Sequence, residues 1–282
     1  MGFRKHAAIA VAASAAVVGS MATAATAADA ATAAPVPVVT IHVNNHRVLV
    51  GTNNTITAGR TIFRVVTGQG DHQLNVGRFH NGYTLPQLAQ DIGKAFGGGD
   101  VKAIRRIDRN IVFRGGAEAR PNQPGAFSAT LPAGKFLFFD SNTNKFAFVK
   151  VVGKIKPRQF VPNQSRIAVF SYGFAPTPAT IPHTGWTLLT NKADQPHFVE
   201  FQHVKSTTTK RQVSSYFKQG APGQPSWALP GSTSSGVLTQ GQHSAMWLNL
   251  PPGKYLVACF WPDFKTGMPH AFMGMWRLIT LR

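Results

Sequence analysis

The residues best equipped for chemistry sit near the C-terminus. Cys259 is the only cysteine in the chain, and His270, Met273 and Met275 follow it closely. A thiolate, an imidazole and a thioether are soft or borderline donors, the types that select copper over zinc or magnesium. A second imidazole is available upstream in His197, which follows Asn191 and Pro196 in a polar turn and leads into Phe198-Val199-Glu200-Phe201. Taken singly, a strand histidine is an ordinary packed or solvent-facing residue and a lone cysteine an ordinary buried one. Only their combination points to a metal.

The cysteine count carries weight because of where the chain goes. Arg4 and Lys5 precede an alanine-rich apolar run from Ala7 to Ala28, with Ala-Thr-Ala at 22–24 and again at 25–27. This pattern reads as a secretory signal peptide over residues 1–28, so the mature protein is expected to be secreted. No later run is long and apolar enough to span a membrane. Export normally favours disulfides, but a single cysteine has no partner within the chain. A free thiol outside the cell is oxidised unless burial or a metal protects it.

The elements that must position these donors are strands. Short apolar runs separated by Gly, Pro, Asn and Asp are an all-β signature, and self-comparison shows the pattern twice. Ile56 to Val66 followed by Asp71-His72 parallels Ile181 to Asn191 followed by Pro196-His197. Phe127 to Phe139 parallels Ser244 to Ala258, each with a central Leu-Pro-x-Gly-Lys. The expected architecture is two tandem Greek-key β-sandwiches, over 36–153 and 165–282, joined by a basic, proline-bearing linker at 154–164. Each half has a helical insertion. Leu85, Leu88, Ile92 and Phe96 share one helical face, a second short helix is expected from Val101 to Asp108, and Val213 and Phe217 mark a third over 209–218. These faces are expected to cover the open side of the sheet.

With these residues in view, the second half resembles a cupredoxin, the blue-copper sandwich of plastocyanin and azurin. The likeness rests on Asn191 and Pro196 before His197, Phe201 after it, Tyr255 four before Cys259, and His270 followed by Gly274-Met275 and a last strand, Trp276 to Leu281. The resemblance covers 165–282 well and, through the repeat, extends more weakly to 36–153. It implies one copper ion in the C-terminal domain, with His197, Cys259 and His270 as equatorial ligands and Met275 as the weak axial one. Met273 is the alternative axial ligand, because strand alternation puts it on the same face. One departure is the ten-residue stretch from Phe260 to Pro269 between cysteine and histidine, longer than the family usually has. Such a loop can close, but it is expected to hold His270 less firmly and to leave a histidine edge exposed for electron exit. In the first half His72 stands at the place of His197 and Asp140 at that of Cys259, so that domain is expected to lack copper ligands.

The function these features imply is a secreted copper-binding protein, most simply an electron carrier. Tandem cupredoxin domains also occur in two-domain laccases and copper nitrite reductases. This chain has no His-x-His pair and no histidine beside Cys259, and it lacks hydrolase motifs such as Gly-x-Ser-x-Gly, so the sequence points away from an enzyme. The alternatives are a Cu(I) scavenger or chaperone using the methionines, and a metal-free cationic sandwich that binds a surface or cell wall. A formal charge of +19 suits an acidic redox partner or an anionic cell-wall polymer. No basic helix or nucleic-acid module accompanies it, which argues against nucleic acid.

Overall fold

Alternating and fully apolar runs become 18 strands among the residues described by the computed structural model, which are 35–51, 53–155 and 161–282. The signal segment and linker residues 156–160 lie outside them. The first half contains β1 (Val38–Val43), β2 (Val48–Val50), β3 (Thr55–Thr57), β4 (Gly59–Val66), β5 (His72–Phe79), α1 (Leu85–Gly98), α2 (Val101–Asn110), β6 (Ile111–Ala119), β7 (Gly125–Leu131), β8 (Gly134–Asp140) and β9 (Lys145–Val152). The second half contains β10 (Ser165–Phe170), β11 (Gly173–Thr177), β12 (Thr180–Ile181), β13 (Thr184–Asn191), β14 (Glu200–Val204), α3 (Lys210–Lys218), β15 (Ala228–Ser234), β16 (His243–Asn249), β17 (Gly253–Ala258), a 3₁₀ turn (His270–Met273) and β18 (Trp276–Leu281).

These strands build two sandwiches with short helical insertions, as the repeat implies, but the two sandwiches share a sheet. One eight-stranded sheet runs β11-β10-β13-β16-β7-β4-β1-β2, and two five-stranded sheets run β3-β9-β8-β5-β6 and β12-β18-β17-β14-β15. The halves join where β7 pairs antiparallel with β16, Phe127 opposite Met246 and Ser128 opposite Ala245. A second seam ties β5 and β6 to the segment after β15: Gly115 N donates to Val237 O at 2.8 Å, and Val237 N donates to Asn75 Oδ1 at 3.0 Å.

Strand alternation separates core from surface. In β4, Phe63 and Val65 are buried while Arg64 is exposed. Phe63 and Phe127 from the large sheet stack at 4.9 Å, and Phe138 of β8 meets Phe63 edge-on at 5.5 Å, which closes the first core. In the second core Ile167, Leu189 and Leu248 of the large sheet pack against Phe201, Tyr255 and Val257 of the small one.

The helices do more than cover a sheet. Thr84 N donates to Gln87 Oε1 at 2.8 Å at the start of α1, and the Asp100 side chain caps α2 through Lys102 N and Ala103 N. Their apolar face, Leu88, Ile104 and Ile107, joins the same core as Trp261. Phe96 meets Trp261 edge-on at 5.4 Å, and Arg105 Nε donates to Phe264 O at 2.8 Å. On the other side, Phe217 of α3 contacts Phe272 at 5.6 Å. Both insertions therefore brace the segment that follows Cys259.

Since Phe127 is fully buried beside the β7–β16 junction, Phe127→Ala is expected to lower stability by about 3–5 kcal/mol through lost burial and the cavity left behind. Urea unfolding should report the loss in both halves as one transition.

Candidate metal centre

The backbone first fixes His197. Asn191 ends β13 with its side chain fully buried, and Asn191 Nδ2 donates to Gln195 O and to Leu238 O, each at 2.8 Å. His197 N donates to Leu238 O at 3.0 Å and its carbonyl accepts from Leu238 N at 2.8 Å. The turn with Asn191 and Pro196 is thus a clamp that aims one histidine at the end of β17.

Cys259 lies one residue beyond β17, and the chain after it folds back on it. Ala271 N donates to Cys259 O at 2.7 Å, Cys259 N to Met275 O at 3.3 Å, His270 N to Trp261 O at 3.0 Å and Met275 N to His270 O at 3.0 Å. These four bonds place cysteine, histidine and methionine side by side without regular strand structure between them.

The ten-residue stretch is not loose. Asp263, fully buried, organises it: Oδ1 accepts from Lys265 N at 2.9 Å, Thr266 N at 2.8 Å and Thr266 Oγ1 at 3.0 Å. Its Oδ2 accepts from Tyr172 Oη at 2.7 Å and Gln195 Nε2 at 3.1 Å, and lies 3.9 Å from His270 Nε2. Burial works against the charge on Asp263, but the bonds from Gln195, Tyr172 and the two amides outweigh it and hold the carboxyl well below the usual carboxylate range. Gly267 lets the tip lie against the end of α1. A Cβ there would fall 2.0 Å from Gly99 O, and its φ of +75° is in the left-handed region. The expectation of a weakly held His270 is corrected by these contacts.

The donors converge. Cys259 Sγ lies 3.5 Å from His197 Nδ1 and 3.7 Å from His270 Nδ1, and the two rings are 4.5 Å apart between centroids. Among the described residues these three side chains form the one group of three or more His, Cys, Asp or Glu that could hold a metal, with ligand atoms within 4.8 Å of one another. Metal–N bonds of about 2.0 Å and metal–S bonds of about 2.3 Å at trigonal to tetrahedral angles separate N from S by roughly 3.5–3.8 Å. The spacing therefore fits an ion between the three atoms. Met275 is fully buried in the core cluster that contains Cys259. Met273 is half-buried and its sulfur accepts from Thr266 Oγ1 at 3.6 Å, and Met268 is exposed.

Neither histidine offers an edge to solvent. His197 is 1% exposed and His270 0%, which corrects the expectation of an exposed edge. Tyr172, in the β10–β11 turn, meets His270 edge-on at 5.7 Å and is itself 37% exposed. Tyr172, Asp263 and Gln195 are site residues that sequence spacing does not reveal. The only local signal is an acidic residue in an otherwise basic and apolar loop.

In the first half His72 and Asp140 do come together, with Nδ1 to Oδ2 at 2.8 Å and both side chains fully buried. Their remaining capacity is used: His72 Nε2 meets Gln69 O at 2.8 Å, and Asp140 accepts from Gln73 N, Asn142 N and Thr143 Oγ1.

No protein-family model and no curated protein matches the sequence. Solved structures do match. Auracyanin A, a "blue" copper protein from the green thermophilic photosynthetic bacterium Chloroflexus aurantiacus, aligns at 15% identity over 42% of this chain and 99% of its own, TM-score 0.30. A multicopper oxidase aligns at 12% identity over 87% of this chain and 88% of its own, TM-score 0.25. The copper nitrite reductase of Nitrosomonas europaea aligns at 9% identity over 88% and 94%, TM-score 0.23. At such identities the likeness concerns the fold alone. What the structure itself shows is an all-β pair of sandwiches in which His197, Cys259 and His270, three of the donors named from the sequence, come together. The expectation that the chain is not an enzyme is withdrawn, because the matches spanning most of it include an oxidase and a reductase.

Burial, with His270 adding repulsion, drives His197 from 6.5 down to about 3, and burial drives His270 from 6.5 down to about 4 against the pull of Asp263. Between those values and 6.5 the unfolded chain binds up to two more protons than the folded one. The contribution of these neutral rings is therefore complete above pH 6.5 and is lost as pH falls, with a slope of about 2.5 kcal/mol per pH unit near pH 5. Urea unfolding of metal-free protein from pH 7 to 4 measures this, and a flat profile would contradict it. Asp263→Ala strands five donors and should destabilise the fold by about 3–5 kcal/mol in the same assay.

Proposed function

We propose that the C-terminal sandwich is a copper site in which His197, Cys259 and His270, with Met275 as a fourth donor, would hold one ion, and that the function this site would serve is electron transfer. The observation that carries this is the convergence of two imidazole Nδ1 atoms on one buried sulfur, at 3.5 and 3.7 Å. A copper ion held by these residues would supply one-electron chemistry, since two imidazoles, a thiolate and a thioether suit both of its oxidation states.

The chain's own residues do the rest. Burial pushes the Cys259 thiol up to about 12, so loading the ion must displace the thiol proton, whereas both imidazoles are already neutral near pH 7. Backbone hydrogen bonds from Ala271 N to Cys259 O, and from Cys259 N to Met275 O, hold the cysteine beside the segments that carry His270 and Met275. Asp263, through Tyr172 and the 265–266 amides, keeps His270 in place. Tyr172, edge-on to His270 and 37% exposed, would offer an aromatic bridge from the centre to the surface. The net charge of +19 would steer an acidic partner to the protein. The basic head and alanine-rich run of residues 1–28 support an extracytoplasmic location.

Adding Cu(II) to the purified protein should produce a strong thiolate-to-copper absorption near about 600 nm that is absent in Cys259→Ser. Met275→Leu should keep the band and shift its position or the redox potential. Failure of wild type to develop the band, or its survival in Cys259→Ser, would overturn the assignment. Tight Cu(I) binding without the band would favour a scavenger instead.

A further inference from the structure

The shared eight-stranded sheet has two faces, and only one is accounted for by the cores. Its strands, β1, β2, β4, β7, β10, β11, β13 and β16, contain no aspartate or glutamate. Their basic residues are His42, Arg60, Arg64, Arg166 and His243, and alternation sends all five to the outer face, opposite buried neighbours such as Phe63, Val65 and Ile167. Trp186 and Trp247 share that face. They are directly opposed across β13 and β16, with rings 5.4 Å apart, and Trp247 is 37% exposed.

Register makes this one continuous surface across both halves. Ile62 pairs with Ser128, Ser128 with Ala245, Ala245 with Leu188, and Leu188 with Arg166. With strands 4.7–4.9 Å apart, that row covers roughly 19 Å from β4 to β10. The small residues Ser128 and Ala245 at the seam are buried beneath their larger neighbours, so a ligand would meet the side chains flanking the seam rather than the seam itself.

We propose that this outer face binds an acidic glycan. Arginines on either side of the seam, Arg64 and Arg166, would meet its anionic groups, and the exposed ring of Trp247, held by its edge-to-face contact with Trp186, would stack on the apolar face of a sugar ring, the usual role of an amphipathic aromatic at a polar surface. Charge complementarity identifies the sign of the ligand: the eight strands carry no acid, and Glu118, which lines the hollow beside Trp247, is paired with Arg120, so the face attracts anions in a way tuned by salt. The aromatic pair identifies the class. Its rings lie mid-sheet on a rigid, flat lattice, a placement suited to stacking on a polymer and unsuited to insertion into a bilayer, which needs protruding apolar side chains. This inference is independent of the metal.

The test uses the full chain with polygalacturonate as the probe, by calorimetry and tryptophan fluorescence at 50 and 300 mM salt (about a 2.5-fold change in screening length). Binding should weaken with salt. The pair Arg64→Glu and Arg166→Glu should reduce affinity at least tenfold. Lys145→Glu with Lys150→Glu makes the same change in net charge on β9 of a different sheet and should reduce it less than twofold. Trp247→Ala should weaken polygalacturonate at least fivefold but long-chain polyphosphate less than twofold, and Trp247→Phe should recover most of the loss. Thermal midpoints of all variants check folding. Equal losses in the two charge-reversed pairs would mean a diffuse field, an unaffected Trp247→Ala would remove the stacking, and binding to anionic phospholipid vesicles without binding to the glycan would mean a lipid surface. Each of these results overturns the proposal.

Discussion

A buried carboxylate bonded to five donors lets a long excursion return a histidine to a sulfur. Asp263 accepts from the amides and hydroxyl of Lys265 and Thr266 within its own loop, and from Tyr172 and Gln195 on two other segments. Charge-assisted bonds of this kind are short and strong when water is excluded. The bonds within the loop close it, and those to Tyr172 and Gln195 anchor the closed loop to the sandwich. Without the second set the loop could keep its shape and still point His270 elsewhere. The four backbone bonds among Cys259, Trp261, His270, Ala271 and Met275 then have a fixed base.

The two halves show what the same scaffold does with different side chains. In each, a histidine near the start of one strand faces the residue at the end of the neighbouring strand. In the first half that residue is Asp140, and His72 and Asp140 satisfy one another and their surroundings through hydrogen bonds. In the second it is a thiol, a poor partner for two imidazoles, and a second histidine is brought in by the loop. Hydrogen-bonding capacity that is closed in one copy is left open in the other. A metal ion is the natural species to complete a set of lone pairs aimed at a common point.

Much of this was legible in the sequence. The donors Cys259, His270 and Met275 are close in the chain, His197 is announced by its turn, and the repeat gives the two sandwiches. The anchoring of the loop was not legible, because Asp263 meets Tyr172 across 91 positions and Gln195 across 68, and nothing local marks either partner. The buried histidines were missed for the same reason: Tyr172 and the braced loop cover them from outside the motif. Periodicity also placed α1, α2 and α3 but could not tell that Trp261 and Phe272 would be their targets. The sharing of one sheet by both halves depends on β7 and β16 lying edge to edge, and alternation along a strand says which side chains are buried, not which strand is the neighbour.

The β7–β16 pairing has a consequence for how the molecule can be divided. Cutting the chain in the linker would turn an interior junction into two raw borders, each with unpaired amides and carbonyls flanked by apolar side chains such as Phe127 and Met246. Borders of that kind invite pairing with foreign strands. The repeat is thus visible as a duplication, but its copies are no longer modules. Each serves as the selvedge that keeps the other from unravelling into aggregates.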